Sequence, residues 1–333
     1  MNTRTLQAAA LCVALALSTQ TRSAELTLPK DGWASWQVDA VEDAPDWCCW
    51  ESWDTSAPPA TCKLDEDRNG YGSRDHRTTD SVRLYAHLVG GKVDRLRSLA
   101  ANCPVEARTP IRDLGAVAAD DSARWLITLA KDAKGSSAIR GGGDDVLASL
   151  AMHRSDLAFD ALAVTARNDA SVETRKHAVL WLAMMRGNPG AEVTSSVMFS
   201  DKDADLRKHA AMAMAQSKSP RMAQDLIRLG QTDRDGDVRA QAWFWLAHTG
   251  APNAEDSIVA ALKKDQNDHV REQAVFALSQ LPDERATRAL IATAENQALP
   301  REQRKRALFW LAQSDSAGAQ NYLERVLAGN VAR

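Results

Sequence analysis

Apart from Cys12, this chain has four cysteines, Cys48, Cys49, Cys62 and Cys103, all in its first third, and they are its most reactive side chains. In an oxidising compartment four thiols at such spacing predict two disulfides. Adjacent cysteines close a strained ring if they bond each other, so Cys48 and Cys49 are expected to reach different partners. That leaves two connectivities over Cys62 and Cys103. A zinc site is the rival chemistry, but the paired C-x-x-C knuckles it usually needs are absent. His177 and His209 stand one repeat apart and could in principle share a metal only if the fold brings them together. Asp65, Asp67, Asn69 and Gly70 match the first half of a calcium loop, but position twelve is His76 where a bidentate Glu is needed, so a polar loop is the better reading. Asp233, Asp235 and Asp237 miss the same spacing, and Asp237 is better placed as a helix N-terminal acid facing the macrodipole. There is no phosphate-cradling glycine loop, no His-Glu-x-x-His and no Gly-x-Ser-x-Gly elbow. The expectation is a protein with no catalytic residues, no metal and no cofactor.

The elements that position these residues fall into unlike parts. The chain has 333 residues, 44% of them hydrophobic, and a formal charge of -3, so it can bury a core and has no global basic field for nucleic acid. Residues 1–24 read as a secretory signal, with Arg4 followed by an apolar run from Ala8 to Leu17 that is too short to cross a bilayer. Cleavage after Ser18 and after Ala24 are both open. Export would place the protein in the periplasm or beyond it, with no transmembrane segment once the signal is gone.

Residues 25–113 read as a small β-rich domain. Val82, Leu84, Ala86 and Leu88 alternate with Arg83, Tyr85 and His87, and Gly90-Gly91 supplies a tight turn, which predicts a hairpin. Trp33, Trp36, Trp47, Trp50 and Trp53 are expected to form one aromatic core against the disulfides, with a carbohydrate platform as the alternative. Residues 114–143 read as a helix near 122–131 followed by a Gly-rich linker.

From residue 144 to 333 the chain repeats itself. Arg175, Arg207, Arg239, Arg271 and Arg304 recur with a period of about 32 residues. Ala178, Ala210, Ala242, Ala274 and Ala307 follow three positions later, and Leu182, Met214, Leu246, Leu278 and Leu311 seven later. With Val179, Ala211, Trp243, Val275 and Leu308 at four, these lie on one helical face. Pro189, Pro220, Pro252 and Pro282 mark the turns before alternate helices. One helix pair cannot bury both faces, but a stack of pairs builds a continuous core. Gly143 to Met152 is a degenerate, capping copy. Gln303 before Arg304 and Thr174 before Arg175 predict looser turns there.

Asp237-Val238-Arg239 with Ala242 and Leu246 resembles short bacterial HEAT-like repeats, and Trp47-Cys48-Cys49-Trp50 ahead of such repeats resembles a group of exported bacterial HEAT-repeat proteins. The resemblance implies an α+β chain: a disulfide-bonded β-rich domain, then an all-α solenoid whose second helices line the concave side. On those helices, offsets two, five and nine from the Arg point away from the packed face. They gather His177, His209, Gln241, Gln273 and Arg306; Leu180, Met212, Phe244, Phe276 and Phe309; and Met184, His248, Gln280 and Gln313, with Gln216. An aromatic and amide stripe of this kind suits a protein or peptide partner, which makes a non-enzymatic scaffold the leading expectation. Packing of the phenylalanines between repeats is the competing account of the same residues. The di-iron HEAT-repeat hydroxylases carry His-Glu dyads, and no His here precedes Glu. The bilin lyases have repeats of similar length, which makes a small-molecule-handling enzyme the alternative function. A structural envelope protein is the third.

Overall fold

The computed structural model describes residues 26–49, 59–66, 71–72, 77–131 and 143–329. The expected signal, Trp50 and Trp53, Asp67, Asn69, Gly70, His76 and residues 135–142 of the Gly-rich stretch lie outside the described residues.

The fold is α+β, with strands first and a helical HEAT-like array after them. β1 (Gly32–Asp39), β5 (Ser81–Val89), β6 (Lys92–Ala100) and β8 (Ile111–Ala116) form a sheet in the order β6-β5-β1-β8, with β8 parallel to β1 and the other pairs antiparallel. The short β2 (Cys48–Cys49) pairs with β4 (Tyr71–Gly72), and β3 (Cys62–Lys63) with β7 (Val105–Glu106). The β5–β6 hairpin turns at Gly90 and Gly91, both at positive φ (59° and 78°), where any Cβ would be strained.

Both faces of this sheet are covered. Ala34, Trp36, Val38, Val82, Leu84, Ala86 and Leu96 face a core that runs on without a break into the helices. Trp33, Tyr85 and Leu99 face a second, smaller core with all four cysteines. Tyr85 therefore departs from the simple alternation: it is buried, and burial pushes its hydroxyl up to about 12. The expected single tryptophan core does not form. Trp33 sits on the disulfides, Trp36 turns to the helices and meets Trp125 edge-on at 5.1 Å, and Trp47 meets Trp181 of the repeats at 5.3 Å. Alternation sends Trp33 and Trp36 to opposite faces because their positions differ by three.

The cysteines pair as Cys48–Cys103 and Cys49–Cys62. Asp65 of the calcium-like run accepts from the Trp33 indole (3.1 Å) and from the Arg108 amide, and so closes a loop. Because the disulfides staple only the smaller core, reduction is expected to loosen that core at about 2–4 kcal/mol per bridge. The expected reading is a loss of near-UV circular dichroism with the far-UV helical signal kept; collapse of both together would contradict it.

After α1 (Ala119–Lys131), α2 (Gly143–Met152), α3 (Asp156–Asn168), α4 (Val172–Met185), α5 (Gly187–Ser200), α6 (Ala204–Gln216), α7 (Met222–Thr232), α8 (Gly236–His248), α9 (Ala254–Lys264), α10 (Asp268–Ser279), α11 (Asp283–Glu295), α12 (Arg301–Ala312) and α13 (Ala317–Leu327) follow. The Arg residues lie on α4, α6, α8, α10 and α12, and these even-numbered helices pack on each other more closely than the odd-numbered ones do. In a curved stack the closer layer is the inner one.

The strand region and the array are joined by backbone. The Val41 amide donates to the Met152 carbonyl (2.9 Å), and the Arg154 amide donates to that of Asp39 (3.0 Å). At this joint the Trp36 indole donates to Ser122 Oγ, Ser122 donates to His153 Nε2, and His153 Nδ1 donates to the Ser149 carbonyl, at 2.8, 2.8 and 2.6 Å. His153 is fully buried, and that burial, reinforced by the Arg186 charge, pushes it down to about 4 against the Ser149 bond.

Each Arg does more than mark the period. Arg207 grips Asp233 through Nε and Nη2 at 2.8 and 2.9 Å, Arg239 grips Asp265 at the same two distances, and Arg175 approaches Asp201 at 3.4 Å. Each of these guanidinium groups, and that of Arg271, also donates to the carbonyl six positions before it. The acids are the C-cap residues of the odd helices, and two positions after each such cap Ser171, Asp203, Asp235 and Asn267 cap the even ones. The looser turn expected at Arg175 is therefore not found, because Ser171 caps it. At Arg304 it is: α12 starts at Pro300 without a side-chain cap.

One repeat carries Trp243 where its neighbours have Ala211 and Val275. Gly230 makes room: a Cβ there would lie 2.5 Å from the indole ring. The equivalent positions one repeat before and after Gly230 hold Met198 and Leu262, so the volume moves from one helix to its neighbour. Gly230→Leu is expected to destabilise by about 3 kcal/mol. Adding Trp243→Val, which recreates the Leu262 and Val275 pair, should recover most of the loss in thermal unfolding; no recovery would refute the pairing.

Candidate functional site

The stripe on the even helices is the candidate site. At its N-terminal end His177, Leu180, His209 and Met212 are half-buried and Met184 is exposed. His177 Nδ1 is 3.7 Å from Asp144, which also accepts from the Trp181 indole at 2.6 Å. His209 is held below its ordinary value by burial first and then by Lys176 and His177. Among the described residues the two histidines belong to no group of three metal-ligating side chains. Trp47 of the disulfide region stands against Trp181, so this end of the stripe is walled.

Toward the C-terminus the stripe becomes aromatic. The Phe244 and Phe276 rings stack at 5.7 Å, Phe276 meets Trp310 at 4.9 Å, and Phe309 meets Trp310 edge-on at 5.1 Å. Trp245 and His248 extend the cluster around Phe244. Packing between repeats is thus a real part of what Phe244 and Phe276 do. Phe309 remains 50% exposed. Gln241 and Gln273 border the rings on one side, and Gln280, Gln313 and Gln216 lie at the other end of the same set of helices. Between α10 and α12 a slot of about 260 Å³ is walled by Gln273, Phe276 and Trp310 and ends at Arg306 and Glu272, which pair at 3.0 Å. Sequence reasoning missed Trp181, Trp245 and Trp310, each six positions after its Arg. That recurrence at every second even helix was the available signal.

A cleft of about 1200 Å³ opens elsewhere, at the joint, lined by Glu42, Asp43, Arg154, Asp156, Phe159 and Arg186 among others. Its strongest polar groups serve the joint. The Arg186 guanidinium donates to the carbonyls of Ala151, His153 and Ser155, Arg154 Nε donates to the Ala40 carbonyl, and the Ser155 hydroxyl donates to Asp120. Among the described residues one buried metal-like group occurs, Asp46 with Cys48 and Cys103, and both sulfurs there are already joined as a disulfide. No helix among the described residues is long and apolar enough to cross a membrane.

Residues 159–243 and 231–308 match the family model for HEAT repeats, so this stretch of the chain is a HEAT-repeat array. The chain matches no curated protein. Among solved structures it is similar to human deoxyhypusine hydroxylase in complex with glycerol, at 15% identity and a TM-score of 0.31, over 58% of this chain and 73% of that one.

Proposed function

We propose that this is a non-enzymatic scaffold of the periplasm whose even helices hold a polypeptide partner along the stripe. The observation that carries the reading is the row Phe244, Phe276, Trp310 and Phe309: one or two aromatic rings per repeat, in ring-to-ring contact, edged by amides and ending in a half-exposed ring. Aromatic rings with two rotatable bonds supply large contact area at small entropic cost, as binding hot spots require. The two disulfides favour an oxidising compartment. The strand region acts as the N-terminal cap of the array, because its sheet covers the apolar end that the first repeats would otherwise expose.

A photoreactive residue at position 309, compared with one at Val164, which is 58% exposed on the odd-numbered α3, tests this in intact cells. Capture of a discrete polypeptide from 309 alone is expected. Equal capture from both positions, or none from either with the protein folded and exported, would overturn the reading.

A further inference from the structure

We infer that the last interface between repeats holds a binding site for a neutral sugar of one or two rings, an inference that does not rest on the scaffold reading. The site is a cleft of about 460 Å³ where the C-terminal ends of α10 and α12 meet α11 and the turn into α13. Its volume falls within the roughly 300–1000 Å³ of small-molecule sites.

One repeat earlier, a charged plug occupies the corresponding place. Arg285 of α11 reaches back to the turn before α9, donates to the carbonyls of Ala251 and Pro252 at 3.2 Å each, and pairs with Glu255 of α9 at 3.6 Å. The buried alanines Ala254, Ala286 and Ala319 fix the correspondence between repeats. Glu255 follows Ala254 as Thr287 follows Ala286, and Arg285 precedes Ala286 as Gly318 precedes Ala319. A Cβ at Gly318 would lie 3.2 Å from Thr287 Cγ2, so these two positions face each other as the ion pair does. The last interface has exchanged a long ion pair for Thr and Gly, and the space that Arg285 fills one repeat earlier is left open.

The lining selects the ligand. Hydroxyls of Ser279, Thr287, Ser314 and Ser316 and the amides of Gln280 and Gln313 offer donors and acceptors together, beside the Trp310 indole and Leu290. Several of these groups are uncommitted. The Gln313 amide has no partner among the described residues, Ser314 Oγ accepts from the Ser316 amide at 3.2 Å and keeps its proton to give, and the Trp310 N–H is buried without an acceptor. No basic side chain lines the cleft, so an anion finds no counter-charge. Its one carboxylate, Asp315, is exposed, and an exposed carboxylate holds a cation weakly. An apolar ligand would strip water from the hydroxyls and amides without replacing it. A pyranose meets both demands: its hydroxyls donate and accept at the ring edge, and its C–H face packs on an indole or an aliphatic side chain.

The test is saturation-transfer NMR on the whole protein with glucose, galactose, mannose, N-acetylglucosamine and their disaccharides, and with glucuronate, spermidine and an end-capped alanine dipeptide as the other ligand classes. The expected result is transfer to the ring protons of at least one neutral sugar and to none of the last three. Thr287→Glu with Gly318→Arg rebuilds the plug of the repeat before and should abolish that transfer with the helical circular dichroism kept. Gln313→Ala removes an exposed amide that the fold does not use and should weaken the sugar about tenfold. No transfer to any neutral sugar, stronger transfer to glucuronate, spermidine or the dipeptide, or a sugar signal undiminished in Gln313→Ala or in the folded double variant would overturn the inference.

Discussion

Arg207→Ala is expected to lower the stability of the repeat array by about 3–5 kcal/mol. The Arg207 and Asp233 side chains are 3% and 6% exposed, and two hydrogen bonds of 2.8 and 2.9 Å join them. Burial alone would raise the Asp233 carboxyl, but the Arg207 fork and the Asp235 amide outweigh it and hold the group below its ordinary value. Removing the guanidinium leaves a buried carboxylate uncompensated, and the Asp201 carbonyl loses its donor as well. Arg304→Ala is the control, since Arg304 donates to the exposed Gln297, and it should cost less than about 1 kcal/mol. Urea midpoints at unchanged m-value report both. Equal shifts would show that the forks contribute nothing beyond a surface contact.

The same logic runs in reverse where the ladder stops. Asn296 is the C-cap of α11, and its side chain accepts from the Ala298 amide as Asp265 does from Asn267. Arg271 lacks the cross-helix acid its predecessors have: it pairs with the exposed Asp268 of its own helix, and its Nε is buried without a partner. Asn296→Asp should complete a further fork and gain about 1 kcal/mol, or about 2–4 °C in Tm.

The second large effect is on pH. His153 is pushed from 6.5 down to about 4, chiefly by burial. The unfolded chain binds this proton first, so its contribution is complete above pH 6.5 and lost as pH falls toward 4, about 3 kcal/mol in all. Asp145 opposes it. Burial pushes its carboxyl up to about 6 against the pull of Arg97 at 3.0 Å. Its contribution is complete below the unfolded value near 3.8 and lost as pH rises through 6. Between pH 6 and 4 the two slopes have opposite sign and similar size, so the wild-type protein should hold its stability across that window. Asp145→Asn should expose the histidine slope and lose about 3 kcal/mol on acidification. His153→Asn should cost stability at pH 7 but gain it as pH falls. Parallel pH profiles for all three proteins would refute the balance.

How much of this was legible beforehand differs by level. A single period shared by Arg, Ala and Leu at fixed offsets determined the repeat array, because only one helical face can be buried by stacking and every copy keeps that face. The hairpin at Gly90-Gly91 was equally legible, since its turn needs positive φ at both positions. The same period was present in Asp169, Asp201, Asp233 and Asp265 and in their capping partners, though its meaning depends on which Arg comes within reach. Tertiary structure decided the rest. Disulfide partners follow from strand neighbours, so four cysteines alone left Cys48–Cys103 and Cys49–Cys62 undetermined. Trp33, Trp36 and Trp47 are alike in sequence and went to three different environments, because burial depends on which surface each strand face meets. The stripe could be assigned to one side of each helix by counting at 100° per residue. Whether its rings touch across helices depended on side-chain packing between repeats, which brought Phe244 against Phe276 and Phe276 against Trp310 and left Phe309 half in solvent.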